Sequence, residues 1–215
     1  MPQNTPDIRT AWILFATAFA AGAVDIIGFA KLGGVFASAM TGNFALLAYH
    51  LARGNTLSAI GSLIALLGFV VGCLVGFRLR RGRSPHTTIS LLLGAEAGLL
   101  LLFTFIPATR LQIATLAIAM GLQAVVGQII SLSTIVFTTT LTRLIGGIAD
   151  AIATRDSTGI RDIREQVSLI ASYLLGALLA GVLSVHEVGA VVFLPLTGVA
   201  VALIAHQRVA SPTAN

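Results

Sequence analysis

Residues 57–77, LSAIGSLIALLGFVVGCLVGF, fill 21 positions without one charged side chain. A run of about 20 apolar residues is what a helix needs to cross the ~30 Å hydrocarbon core of a bilayer. Five more stretches meet or approach that length: 11–30, 87–107, 111–131, 167–185 and 188–205. The 215-residue chain is 56% hydrophobic and 10% charged. A soluble domain carries about 25% charged residues, and surface-to-volume scaling leaves a fold of this size too much wet surface to hide so much apolar area. The sequence predicts an all-α polytopic membrane protein, a single integral membrane domain over 1–215.

Two further segments, 36–53 and 136–153, are shorter and more polar. A shift of 97 positions lays Thr41-Gly42-Asn43 on Thr138-Thr139-Thr140, Leu47 on Leu144 and Ala52 on Ala149. Each segment follows one long apolar run and precedes a pair of runs. The chain therefore reads as two halves, 1–107 and 108–215. A helix over residues 42–53 rises only about 18 Å, short of a full crossing. The Gly-rich KLGGVFAS before it suits an irregular descent. Both short segments are expected to be re-entrant: down as loop, turn at the Thr-Gly-Asn position, back as half a helix. Non-helical backbone at that depth must be covered by protein or line a water cavity.

The cations agree with this layout. With six spans, two re-entrant segments and a cytoplasmic N-terminus, Arg9, Arg78, Arg80, Arg81, Arg83, Arg155, Arg161, Arg164 and Arg208 fall inside. Lys31, Arg53 and Arg110 fall outside, and Arg143 lies in the second short segment. Crossing by both short segments reduces the split to seven against five. Positive charge favours the cytoplasmic side, hence six crossings, both termini inside and inverted halves. The clustering also argues against nucleic acid as a partner. The linker TRDSTGIRDIRE, 154–165, reads as a solvated interfacial loop. The polar start MPQNTPDIRT and the run behind it show no small-residue cleavage site, so the first run is read as a retained span.

Few residues carry possible chemistry. Asp25 and Glu96 lie inside apolar runs, and Arg143 and Asp150 lie in the second short segment. Ionisable groups at membrane depth mark ion or proton pathways, or else pair between helices, for example Arg143 with Asp25 or Glu96. Asp150, near a helix end, is expected to be solvated. Gly42 permits unusual backbone, and Thr41 and Asn43 are good N-cap residues, so Thr-Gly-Asn suits the start of a broken helix. Such an end offers partial positive charge and free N–H groups to an anion or polar substrate; the alternative is a cap with tight glycine packing. Gln123 and Gln128 are placed to bond across helices or to line a pore. The four histidines, His50, His86, His186 and His206, and the lone Cys73 form no metal-ligand spacing. No cofactor is expected. No serine nucleophile motif, HExxH or phosphate loop is present, so the chain is read as a non-enzyme.

AGAVDIIGFAKLGGVFASAMTGNFALLA, with GLQ at 121–123 and TTTLTRL at 138–144, resembles the YoaK-type family. These are small bacterial membrane proteins with about six spans, grouped as a domain of unknown function. The resemblance covers nearly the whole chain and is most specific from Asp25 to Asn43. It implies a bacterial inner-membrane protein and no particular activity. Two positions depart from the family pattern: Thr139 stands where glycine is expected and Ala124 where asparagine is expected.

The expected function is a small transporter or channel for a small polar or ionic solute. Asp25, Thr41, Gly42, Asn43, Glu96, Gln123, Thr138, Thr140 and Arg143 are its candidate substrate-binding residues. The alternative is a non-transporting membrane scaffold or partner-binding protein. Expected partners are the lipid bilayer, such a solute, and further copies of the chain as a homo-oligomer. The charge layout is testable by thiol labelling. Cysteines introduced at Ser84 and Ser157 should resist an impermeant reagent added outside, and one at Asn55 should react. Labelling of Ser84 and Ser157 from opposite faces would overturn the layout.

Overall fold

The computed structural model describes residues 8–130, 137–154 and 160–210. Among them are eight α-helices and no strand: α1 (Ile8–Lys31), α2 (Met40–Ala52), α3 (Thr56–Arg80), α4 (Pro85–Phe103), α5 (Thr109–Ile129), α6 (Phe137–Thr154), α7 (Ile160–Val185) and α8 (Leu194–Ala210), the last preceded by a 3-10 turn at Gly189–Phe193. Six are long and apolar enough to cross a membrane: α1, α3, α4, α5, α7, and the 3-10 turn continued by α8. The 13-residue α2 and the amphipathic α6 are not among them.

Local chemistry sets several helix ends. Asn55 caps α3 by accepting from the Ser58 N–H at 3.2 Å, and Ser84 caps α4 by accepting from Thr87 N–H at 3.2 Å with Pro85 behind it. Residues 160–165, expected as loop, open α7 instead. Asp162 sits in that first turn, where a carboxylate suits the helix dipole. Thr154, the first residue of the expected loop, closes α6, and residues 155–159 lie outside the described residues.

Helix α1 and helix α5 are the most enclosed. Ala18, Ala20, Ala21, Ala23, Val24 and Ile27 of the first are fully buried, as are Ala117, Ala119, Met120 and Val125 of the second. The outer helices turn leucine and valine outward, as Leu67 and Leu74 of α3 and Leu174 and Leu178 of α7 do. That is the pattern of a surface bathed in lipid.

Packing repeats between the halves. Helix α1 lies against α7 and α8; correspondingly, α5 lies against α3 and α4. Helix α2 packs on α3 as α6 packs on α7, and α4 meets α8 across the middle. Orientation follows from named contacts. Gly22 abuts Tyr173 and Ala177, and Gly181 faces Ile26, so α1 and α7 run parallel. Gly68 meets Ala114 and Ala117 while Gly76 meets Val125, so α3 and α5 also run parallel. His86 at the start of α4 stacks on His206 near the end of α8, with ring centroids 4.2 Å apart, so these two are antiparallel. Short links make α7–α8 and α4–α5 antiparallel as well. Hence α4, α7 and α1 share one direction, and α5 opposes them. The two halves are inverted.

Glycine makes the parallel pairs close. A Cβ on Gly176 would strike the Phe19 carbonyl, and one on Gly72 would strike the Ile118 carbonyl and stand 2.9 Å from Gly121 Cα. Small residues let transmembrane backbones approach this closely. Gly176→Val and Gly72→Val should each lower the melting temperature in detergent, by an overpacking cost of about 1–3 kcal/mol. Gly94→Ala and Gly98→Ala, with nothing within 4 Å of the added carbon, should not.

Candidate functional site

The segment 32–39 turns back along α1. Gly33 and Gly34 reverse the chain with positive φ, which a side chain disfavours. Val35 then passes Gly28, its carbonyl 2.7 Å from where a Cβ would sit, and residues 37–38 reach Asp25. Asp25 lies six residues before Lys31, so the segment returns about 9 Å along the helix axis. Helix α2 starts from that level at Met40. The first short segment is therefore re-entrant in its packing. Its deep reversal falls at Ser38–Ala39, two residues before Thr41.

Irregular backbone at this depth needs partners. Asp25 and Asn43 supply them. One Asp25 carboxylate oxygen accepts from the N–H groups of Ala37 at 2.9 Å and Ser38 at 2.7 Å. The other accepts from the Ser38 hydroxyl at 2.6 Å and from the Tyr173 hydroxyl of α7 at 2.9 Å. Asn43 takes both polar groups of one residue: its amide oxygen accepts from Phe36 N–H at 3.0 Å, and its amide nitrogen donates to the Phe36 carbonyl. Asp25, Ser38 and Asn43 are all buried.

This differs from a capped helix break. The N-cap is Ala39, which has no capping side-chain bond, and Thr41, Gly42 and Asn43 form the first turn of α2. Thr41 is exposed. Gly42 is helical and leaves room for the Phe36 ring, 3.0 Å from a Cβ at that position. That ring stacks on Phe29 with centroids 5.4 Å apart. Asn43 reaches back to the loop rather than capping its own helix.

The remaining predicted residues lie elsewhere. Gln123 of α5 is buried and donates from Nε2 to the Thr17 carbonyl of α1 at 3.1 Å, bonding across helices, while Gln128 is exposed. Glu96 is fully buried in α4, and among the described residues neither carboxylate oxygen has a hydrogen-bond partner. Gln123 Oε1 and Ser62 Oγ share that condition. Helix α6 packs chiefly on α7 through the stripe of Thr140, Leu144, Gly147 and Ala151. Thr138, Arg143 and Asp150 on it are exposed. Arg143 therefore pairs with neither Asp25 nor Glu96, because α6 lies on the outer side of α7. Thr138–Thr140 open a continuous 18-residue helix, and residues 131–136, where the second re-entrant descent was expected, lie outside the described residues.

Two contributors went unread in the sequence, Ser38 and Tyr173. Tyr173 is one of two tyrosines in the chain and stands inside an apolar run. A buried tyrosine hydroxyl normally finds a partner, which marked it as a candidate match for Asp25.

Loss of the clamp should show as lost stability. Asn43→Leu leaves the Phe36 N–H and carbonyl unpaired, at about 1–3 kcal/mol for each buried group. Its melting temperature in detergent should fall well below that of the parent. Tyr173→Phe removes one of four donors to Asp25 and should cost less, about 1 kcal/mol.

A protein of Bacillus subtilis (strain 168), "UPF0700 transmembrane protein YoaK", is 30% identical over 175 residues, covering 74% of this chain and 77% of the relative. No solved structure matches the chain. Residues 13–206, from α1 into α8, match the family described as "Protein of unknown function (DUF1275)". With six membrane-length helices along the matched region, the chain is a multi-pass membrane protein of the DUF1275 family.

Proposed function

We propose that this protein is a small transporter for a small polar or ionic solute, seated in the bacterial inner membrane with both termini in the cytoplasm. The observation that carries this reading is the inverted pair of halves, in which α1–α7 and α3–α5 make equivalent close contacts with opposite orientation. Inverted repeats with interrupted segments at their interface are the architecture of many secondary transporters. The orientation rests on charge. Arg78, Arg80, Arg81, Arg83, Arg164 and Arg208 lie at one end of the bundle, and Lys31, Arg53 and Arg110 at the other.

A second reading, a non-transporting scaffold or partner-binding protein, has its own support. The polar atoms of Asp25 and Asn43 are engaged by the loop 36–38 and by Tyr173, so in this arrangement they position backbone rather than a solute. Transport therefore turns on groups that are buried and uncommitted, Glu96 and the Gln123 carbonyl oxygen.

A solute panel separates the two readings. The full chain, reconstituted in vesicles, is offered labelled small anions, cations and zwitterions. Saturable uptake of at least one class above protein-free vesicles is expected. Asn43→Leu should lower uptake only in proportion to the folded fraction. No uptake of any class by inserted, folded protein would favour the scaffold.

A further inference from the structure

Glu96 stands on the enclosed face of α4, in a row with Thr88, Ile89, Leu92, Leu93, Leu100 and Phe103, all buried. Thr88 is engaged with the Ser84 carbonyl at 2.9 Å. Helices α5 and α8 cover this face, and α3 touches it less. Each of these carries its charged and titratable groups away from Glu96. Arg110 of α5 is exposed at that helix's start. His206 of α8 bonds to the His86 carbonyl, ten residues or about 15 Å along α4 from Glu96, and Arg208 lies beyond it. Cys73 of α3 donates to the Gly121 carbonyl, and Arg78 and Arg80 lie exposed at the far end of α3. Asp25 of α1, the other buried carboxylate among the described residues, has four donors of its own.

An isolated ionised carboxylate in such surroundings is very costly, and a buried acid is neutralised or paired. A hard metal cation would require about six oxygen ligands. Apart from Thr88, whose hydroxyl is engaged with Ser84, the row around Glu96 supplies leucine, isoleucine and phenylalanine. A single proton needs no further ligand.

We propose that Glu96 is a proton-binding site that couples solute movement to a proton gradient; the coupling rests on the transporter reading above. The enclosed carboxyl holds one proton. When α4 parts from α5 and α8, the proton passes to water, leaving the carboxylate, and a proton is taken up again from water on the opposite side. No other reactant is consumed.

Isotope-edited infrared spectroscopy of the full chain in lipid nanodiscs tests this without a solute. The chain has three glutamates, Glu96, Glu165 and Glu187. Carboxyl-labelled glutamate should reveal, at neutral pH, the carbonyl stretch of a protonated acid that shifts with the label and shifts again in D2O. The band should vanish in Glu96→Gln and persist in Glu165→Gln and Glu187→Gln. If Glu96→Gln fails to fold, the double variant Glu165→Gln/Glu187→Gln decides: a band that persists with Glu96 as the one remaining glutamate belongs to it, and its loss overturns the site. Absence of the band, or a band that never responds to D2O, overturns the proton site. Failure of the solute panel with an exchanging band would remove the coupling and the transporter reading together while leaving the proton site. Saturable uptake that ignores a pH gradient, beside a band that D2O never shifts, would remove the proton site alone.

Discussion

In hydrocarbon, apolar side chains gain nothing by leaving lipid for a neighbouring helix, so close backbone approach has to hold a bundle together. Here that approach occurs twice. Gly22 and Gly176 bring α1 against α7, and Gly72 and Gly121 bring α3 against α5. Each pair is parallel, each is centred on a backbone carbonyl that a Cβ would strike, and each joins one half of the chain to the other. The enclosed helices α1 and α5, the outward leucines and the inverted order of the halves all follow from these two contacts.

That frame leaves the loop after α1 inside the bundle, where water cannot serve its N–H groups. The chain answers with side chains placed before and after the loop. Asp25 comes from the helix it folds back upon, Asn43 from the helix that follows it, and Tyr173 from the opposite half. Polar residues that a membrane sequence singles out by their cost are thereby structural in this half. Glu96 differs in having no such duty among the described residues.

Much of the fold was legible because hydropathy and length alone select the six long helices, and the bounds moved by only a few residues except at the start of α8, where a 3-10 turn intervenes, and at α7. Its first turn, with Arg161, Asp162 and Arg164, reads as loop because charge hides helical continuity beyond the membrane edge. The repeat was legible in outline, and the short segments keep the shift that reveals it, α2 and α6 beginning 97 residues apart at Met40 and Phe137, but no single shift carries through the chain. The Thr-Gly-Asn alignment gave a shift of 97. The contacts superpose Phe19 on Ile118 and Gly22 on Gly121, a shift of 99, and Phe69 on Tyr173 and Gly72 on Gly176, a shift of 104. Connections of unequal length between the helices change the shift, and carbonyl-to-glycine contacts are not visible in a one-dimensional comparison. Asn43 shows the same limit at the site. Its composition announced a polar role at a helix start, but only the folded loop reveals that its partner is Phe36, seven residues upstream.

At the contact-based register, Asp25 corresponds to Ala124 and Tyr173 to Phe69. The second half has neither the carboxylate that accepts four hydrogen bonds nor the phenol that reaches it from the other side. In the transporter reading proposed above the two halves would exchange roles, and the exchanged arrangement would have an apolar methyl group and a phenyl ring in place of the clamp. The arrangement described here would then be the favoured one, and the bundle would have a resting side.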